Sequence, residues 1–232
     1  MKFLGKKCFI VMMLLSSSNS ISGQILDNRT NTNNISEVNM KHGATYVNTQ
    51  DKVFSTFPVY ENLFCKDIQP YIHHIIDHHG MNEWKYGVLT NEIHGHLGIY
   101  AIIGMKMGLR ALDELNAEHD HVQITSFAGI KPPLSCLNDG LQVSTGATLG
   151  HGLIKISEKS KKRPEAVFFH EGKHITIKLK DSYWELISND VSNAIRQHGA
   201  LTDQYWTDIR KKAISYWISW DRNEIFEIIE NQ

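Results

Sequence analysis

The sequence predicts an α+β domain, a small sheet packed with flanking helices. Apolar residues recur at helical spacing through its first half, short β-branched and aromatic runs follow, and two further helical stretches close it. Order is expected from near Pro58, where Tyr60, Leu63, Phe64, Ile68, Tyr71, Ile72, Ile75 and Ile76 keep helical spacing until Gly80 stops them. A second helix is predicted over 97–116, with Ile102, Met105, Leu109 and Leu112 on one face. Within it Gly104 and Gly108 lie one turn apart and predict a close helix contact. Residues 121–127 alternate as a strand, and 133–145 read as a short helix with Pro133 in its first turn. Strands are predicted at 153–156, 166–169 and 174–179. Helices over 183–197 and 202–220 complete the domain, the last carrying Trp206, Ile209, Ala213, Tyr216 and Trp220 as core anchors.

At 232 residues the chain holds one domain with a substantial core. Its net charge of -1 and pI of about 6.9 give no electrostatic reason to bind nucleic acid. The basic run Lys159 to Arg163 reads as a solvated loop. Lys2, Lys6 and Lys7, then the apolar run Phe9 to Leu15, then small polar residues to Gly23, form a signal peptide over residues 1–23. Either Ser18-Asn-Ser20 or Ile21-Ser-Gly23 offers the cleavage point. The apolar run is too short for a membrane anchor, so the mature protein is expected to be periplasmic or secreted, with no stable membrane span. Residues 24–55, rich in Asn, Thr and Ser, read as a flexible arm, and 56–232 as the folded domain. Asn28-Arg-Thr and Asn34-Ile-Ser match the N-glycosylation pattern.

His94 and His96 are two apart around Gly95, and in an extended segment both side chains leave one face. The pair is placed to bind a metal, to receive an anion at the next helix N-terminus, or to cap it. Cys136, Asp139 and Gln142 form an i, i+3, i+6 row on one helix face. A thiolate suits zinc or another transition metal, and Asp139 can ligate or fix an imidazole tautomer. Cys136 can equally be a small buried apolar group, or can pair with Cys65 in an oxidising compartment once Cys8 leaves with the leader. The run Thr145 to Gly152 is a glycine-rich turn without the Lys-Ser/Thr ending of a P-loop. His151 at its tip offers a third imidazole or is a plain loop residue.

Two histidine clusters have competing readings. His170-Glu171-Gly172-Lys173-His174 matches the H-E-x-x-H pattern of zinc proteases, but its flanks alternate as strands and Gly172 falls at a turn, so a hairpin is predicted. On His73-His74-Ile-Ile-Asp77-His78-His79, His74 and His78 are an i, i+4 pair that suits a surface metal ion, haem, or nothing beyond a solvated face.

Residues 91–179 resemble the FmdE family, named for a component of formylmethanofuran dehydrogenase. That family shows His-Gly-His-x-Cys-Pro-Gly leading into a helix, then Cys-x-x-Asp-x-x-Gln-x-x-Thr-Gly-Cys-Thr-x-Gly-Lys-Gly. Here the first motif stands as His94-Gly95-His96-Leu97-Gly98, and the second runs without a gap from Cys136 through Asp139, Gln142, Thr145, Gly146, Thr148 and Gly150 to Gly152. The closing run Trp220 to Ile228 is also similar to the family's end. The resemblance implies an α+β core, often a homodimer, with a metal-containing site built from both motifs. Departures fall at Gly98 and Ala147, where the family has cysteines, and at His151, where it has lysine. They exclude redox chemistry by paired cysteines at 98 and 136, and imply a site of His94, His96 and Cys136 with His151 as a compensating ligand. Asp139 is then a general base or an orienter, and the ion a divalent transition metal such as zinc. Formylmethanofuran chemistry itself needs a pterin metal and iron-sulfur centres, for which the chain lacks the cysteines. The expected function is therefore exported metal binding of the FmdE type. A metal-dependent enzyme acting on a small molecule and a periplasmic haem or metal capture protein are the alternatives.

Overall fold

The computed structural model describes residues 53–158 and 162–231. The predicted leader over 1–23, most of the predicted arm and part of the Lys159 basic run lie outside these residues. The first described segment is not the continuous helix predicted from Pro58. Two 3-10 turns, Glu61–Leu63 and Gln69–Tyr71, precede α1 (Ile72–His79). Pro70 sits at the head of the second turn, where it lacks a donor and disfavours helix in the residue before it.

Gly80, at φ +90, ends α1 and opens α2 (Met81–His94), a helix that hydrophobic periodicity did not reveal. Its buried positions are Glu83, Trp84, Gly87 and Thr90, mostly polar or small. α3 (Ile99–Leu115) lies at the centre, packed on α2, α4, α6 and β4. Every residue from Ile99 to Leu109 is buried, so the single apolar face expected for it is in fact apolar almost all round.

β1 (Gln123–Ser126) leads through a 3-10 turn into α4 (Leu137–Thr145), and then into β2 (Ile154–Ile156). β3 (Glu165–His170) and β4 (Lys173–Leu179) form a hairpin, α5 (Asp181–His198) and α6 (Asp203–Ser219) follow, and β5 (Phe226–Asn231) closes the chain. The sheet order is β2-β1-β3-β4-β5, parallel between β1 and β2 and antiparallel elsewhere. The α+β class thus holds: among the described residues six helices pack with a five-stranded mixed sheet. Glu171 and Gly172 both have positive φ at the β3-β4 turn, as a two-residue hairpin requires. The H-E-x-x-H run therefore wraps a hairpin. His170 donates from Nδ1 to the His121 carbonyl at 2.8 Å, while His174 packs on Phe169.

The α3-α4 contact is built on absent side chains. A Cβ on Gly104 would lie 2.0 Å from the Leu137 carbonyl oxygen, and one on Gly140 would lie 2.1 Å from the Ala101 carbonyl oxygen. On the other side of α3, fully buried Lys106 pairs with fully buried Glu83 and donates to the carbonyls of Trp217 (3.1 Å) and Trp220 (2.8 Å) at the end of α6. Arg222 donates to the second Glu83 oxygen at 3.1 Å and to the His79 carbonyl at 2.8 Å. Each ammonium hydrogen of Lys106 thus has an acceptor, the condition under which a buried ion pair is tolerated.

His79 borders this network, donating from Nε2 to the Ile218 carbonyl at 2.8 Å. Burial, reinforced by the Lys106 charge, holds its basicity below the ordinary histidine value of 6.5. As pH falls below about 6.5 the unfolded chain therefore takes up a proton that the folded protein resists, and stability declines until the pH is below the folded-state value. Melting temperature across that window is expected to fall, with a shallower fall in His79→Gln, which keeps a donor toward Ile218. Identical slopes for the two proteins would remove His79 from the account.

Candidate metal centre

α2 ends at His94, and Gly95, in the left-handed region at φ +81, caps it by donating to the Asn91 carbonyl at 2.9 Å. The histidine pair is therefore not in an extended segment, as its spacing suggested. His94 is the last residue of one helix and His96 lies in the short link to the next. The turn at Gly95 still brings their rings to a centroid separation of 4.4 Å.

Asp139 comes from the first turn of α4, where a carboxylate also complements the helix dipole. It accepts a 2.7 Å hydrogen bond from His94 Nδ1. Because a carboxylate only accepts, the proton belongs on Nδ1 and the lone pair on Nε2. The His94 side chain is 9% exposed, and its Nε2 is buried with no hydrogen-bond partner. A buried acceptor left unpaired costs about 1–3 kcal/mol, so the atom is suited to a ligand.

His96 Nε2 turns to the same place. A Cβ built on Gly98 would lie 3.1 Å from His94 Nε2 and 3.4 Å from His96 Nε2. Both nitrogens thus border the space above Gly98, the position where the FmdE pattern has a cysteine. Burial, and then the proximity of His94, lower the basicity of His96, so its ring stays neutral and available as a donor of electrons. Trp206 in the first turn of α6 packs on the His96 ring in an edge arrangement, ring centroids 4.5 Å apart.

Cys136 caps α4 one turn before Asp139, half-buried. Burial and the Asp139 charge push its thiol up to about 11, so without a metal it is protonated at neutral pH. Cys65 and Cys136 are both free thiols, so the disulfide alternative is not formed. Gln142 is taken up in structure: its side-chain oxygen accepts from the Leu149 N–H at 2.9 Å and holds the glycine-rich turn.

His151 stands apart from this group. It follows the C-terminal end of α4, exposed, with Nδ1 3.2 Å from the Gly146 carbonyl and 3.6 Å from Asp120. Nine residues of α4 rise roughly 13 Å, which separates the cysteine end from the His151 end. The resemblance had placed them in one site, and the intervening helix does not. Among the described residues, no three His, Cys, Asp or Glu side chains are grouped so as to hold a metal ion. What is assembled is an imidazole pair whose first member is oriented by a carboxylate. Gly98 and Trp206 are site residues that composition did not mark. Trp206 was visible only as part of the α6 stripe, and its role depends on how α6 meets the His96 link.

The fold is a mixed α+β domain that turns two imidazoles toward one space, with a carboxylate fixing the tautomer of one. The sequence matches the family described as FmdE, Molybdenum formylmethanofuran dehydrogenase operon, over residues 93–227. That span is more than half the chain and contains both motifs, and the protein belongs to this family. It is also similar to a protein of Archaeoglobus fulgidus described as "Probable S-adenosyl-L-methionine-binding protein", 36% identical over 67 residues. The match covers 28% of this chain and 18% of that protein, so the chain spans about a fifth of the length of that relative.

Proposed function

We propose that this chain is an exported metal-binding protein of the FmdE type, in which His94 and His96 hold zinc or a similar divalent ion. The carrying observation is His94 Nε2, buried and unpartnered, with its lone pair directed at the space that His96 Nε2 also borders. The carboxylate-histidine arrangement at Asp139 is the one that orients metal ligands in proteins and raises their donor strength. Export rests on the composition of residues 1–23.

A divalent ion at this position would act as a Lewis acid and lower the pKa of a bound water or thiol. The chain's residues supply the rest. Asp139 keeps His94 in one tautomer, Trp206 packs on the His96 ring, and Cys136 stands one turn before Asp139 on α4. Two imidazoles leave coordination positions open, which favours a metal-dependent enzyme acting on a small molecule as the second reading. Asp139 then serves as orienter, because one of its oxygens is already engaged by His94.

The mature protein purified without added metal is expected to carry about one divalent ion per chain, and His96→Ala to lose it. Equal metal content in the two proteins would sink the proposal. Gly98→Cys supplies a thiolate where both Nε2 atoms converge, and is expected to raise zinc affinity by at least about a hundredfold in a chelator competition. Unchanged affinity would place the ion elsewhere.

A further inference from the structure

α1 carries a second metal-ligand pair, separate from the centre at His94. Ile72, Ile75 and His79 make its buried side, so His73, His74, Asp77 and His78 project into solvent. The run of four histidines is thereby divided. His79 belongs to the interior, bonded to the Ile218 carbonyl. His74 and His78, one helical turn apart, stack face to face with ring centroids 3.9 Å apart and an interplanar angle of 24°.

The hydrogen bonding fixes which atoms are offered. His78 Nδ1 lies 2.9 Å from the His74 carbonyl oxygen. A carbonyl only accepts, so that nitrogen carries the proton and His78 Nε2 carries the lone pair. Two ring nitrogens bound to one ion at about 2.0–2.1 Å stand roughly 3–3.4 Å apart, depending on geometry. The stack keeps the two side chains within reach of one ion, and rotation of both exposed rings about their side-chain torsions brings the two lone pairs onto it. Two imidazoles leaving the same helix face one turn apart reach adjacent positions on one small ion, and not the opposed axial positions of a haem iron.

We propose that His74 and His78 form a surface chelate for an imidazole-preferring divalent ion, with copper(II) favoured over zinc by the general order of affinities. The ion has two protein ligands, and water fills its remaining positions. Asp77, exposed beside the pair, adds a negative charge without being required as a ligand. Such a site exchanges its ion readily.

Copper(II) chloride titrated into the full mature protein, followed by electron paramagnetic resonance and calorimetry, decides this. His74→Ala and His78→Ala each remove one arm of the chelate, and each is expected to weaken one class of copper binding by at least about tenfold. His94→Ala leaves that class unchanged, so failure here and failure at the interior site are distinguishable. His73→Ala is expected to stay within about twofold of the parent. All four positions are read alongside circular dichroism, and the α1 substitutions are on an exposed face that preserves the fold. The proposal is overturned if His74→Ala and His78→Ala bind copper as the parent does, or if His73→Ala weakens binding as much as they do.

Discussion

Gly140→Ala is expected to destabilise the protein by about 3 kcal/mol or more, the upper end of the range for overpacking. The added methyl would stand 2.1 Å from the Ala101 carbonyl oxygen, 2.3 Å from the Met105 nitrogen and 2.8 Å from the Gly104 carbonyl carbon. All three are backbone atoms of α3, and none can rotate away. Relief requires α4 to lift off α3, and Asp139 on the same turn moves with it. The variant is therefore expected to lose the Asp139 restraint on His94 together with stability. Urea denaturation measures the first loss, and zinc affinity of the residual folded protein measures the second. Gly150→Ala is the matched control: its nearest neighbour would be Thr148 Oγ1 at 3.8 Å, and the change should stay within about 0.5 kcal/mol. Equal stability of both variants would contradict the close approach of the helices.

Lys106→Met is expected to cost about 3–5 kcal/mol, the penalty for breaking a buried ion pair from one side. Glu83, fully buried, would keep the half-buried Arg222 guanidinium at 3.1 Å and the His79 ring at 3.9 Å but lose its buried cation, and the carbonyls of Trp217 and Trp220 would lose their donor. The loss is specific to an uncompensated charge. The double variant Lys106→Met/Glu83→Gln should therefore be more stable than Lys106→Met alone in denaturant titration. A double variant that falls further would show that packing volume, and not charge, dominates at this junction.

Much of the fold was legible because most elements bury apolar faces at regular spacing. Residues 166–179 alternate around Gly172, and the hairpin followed. Gly104 and Gly108 announced a close helix contact, although their partners on α4 could not be named from spacing. α2 was invisible to the same logic: its buried side carries Glu83, Gly87 and Thr90, which join an ion pair, a helix contact and a polar position in the core. β5 was also passed over, although Phe226 and Ile228 alternate with glutamate and pair across to Leu179 and Ile177.

The candidate site was legible in its parts and less so in its assembly. His94, His96 and Asp139 come together, but through a helix end and a left-handed glycine instead of an extended strand. His151 was grouped with them through the resemblance, as a compensating ligand, and the length of α4 takes it to Asp120. The departure at Gly98 carried more information than it first showed. A missing side chain there leaves two imidazole nitrogens facing a space that a cysteine would fill.

The central claim is that His94 and His96 hold one divalent ion in the interior. Metal content of the protein in a His74→Ala/His78→Ala background, where the surface pair cannot contribute, tests it most directly. About one ion per chain is expected in that background, falling to none on adding His94→Ala. Metal content that is unchanged by His94→Ala, or absent before it, would contradict the account.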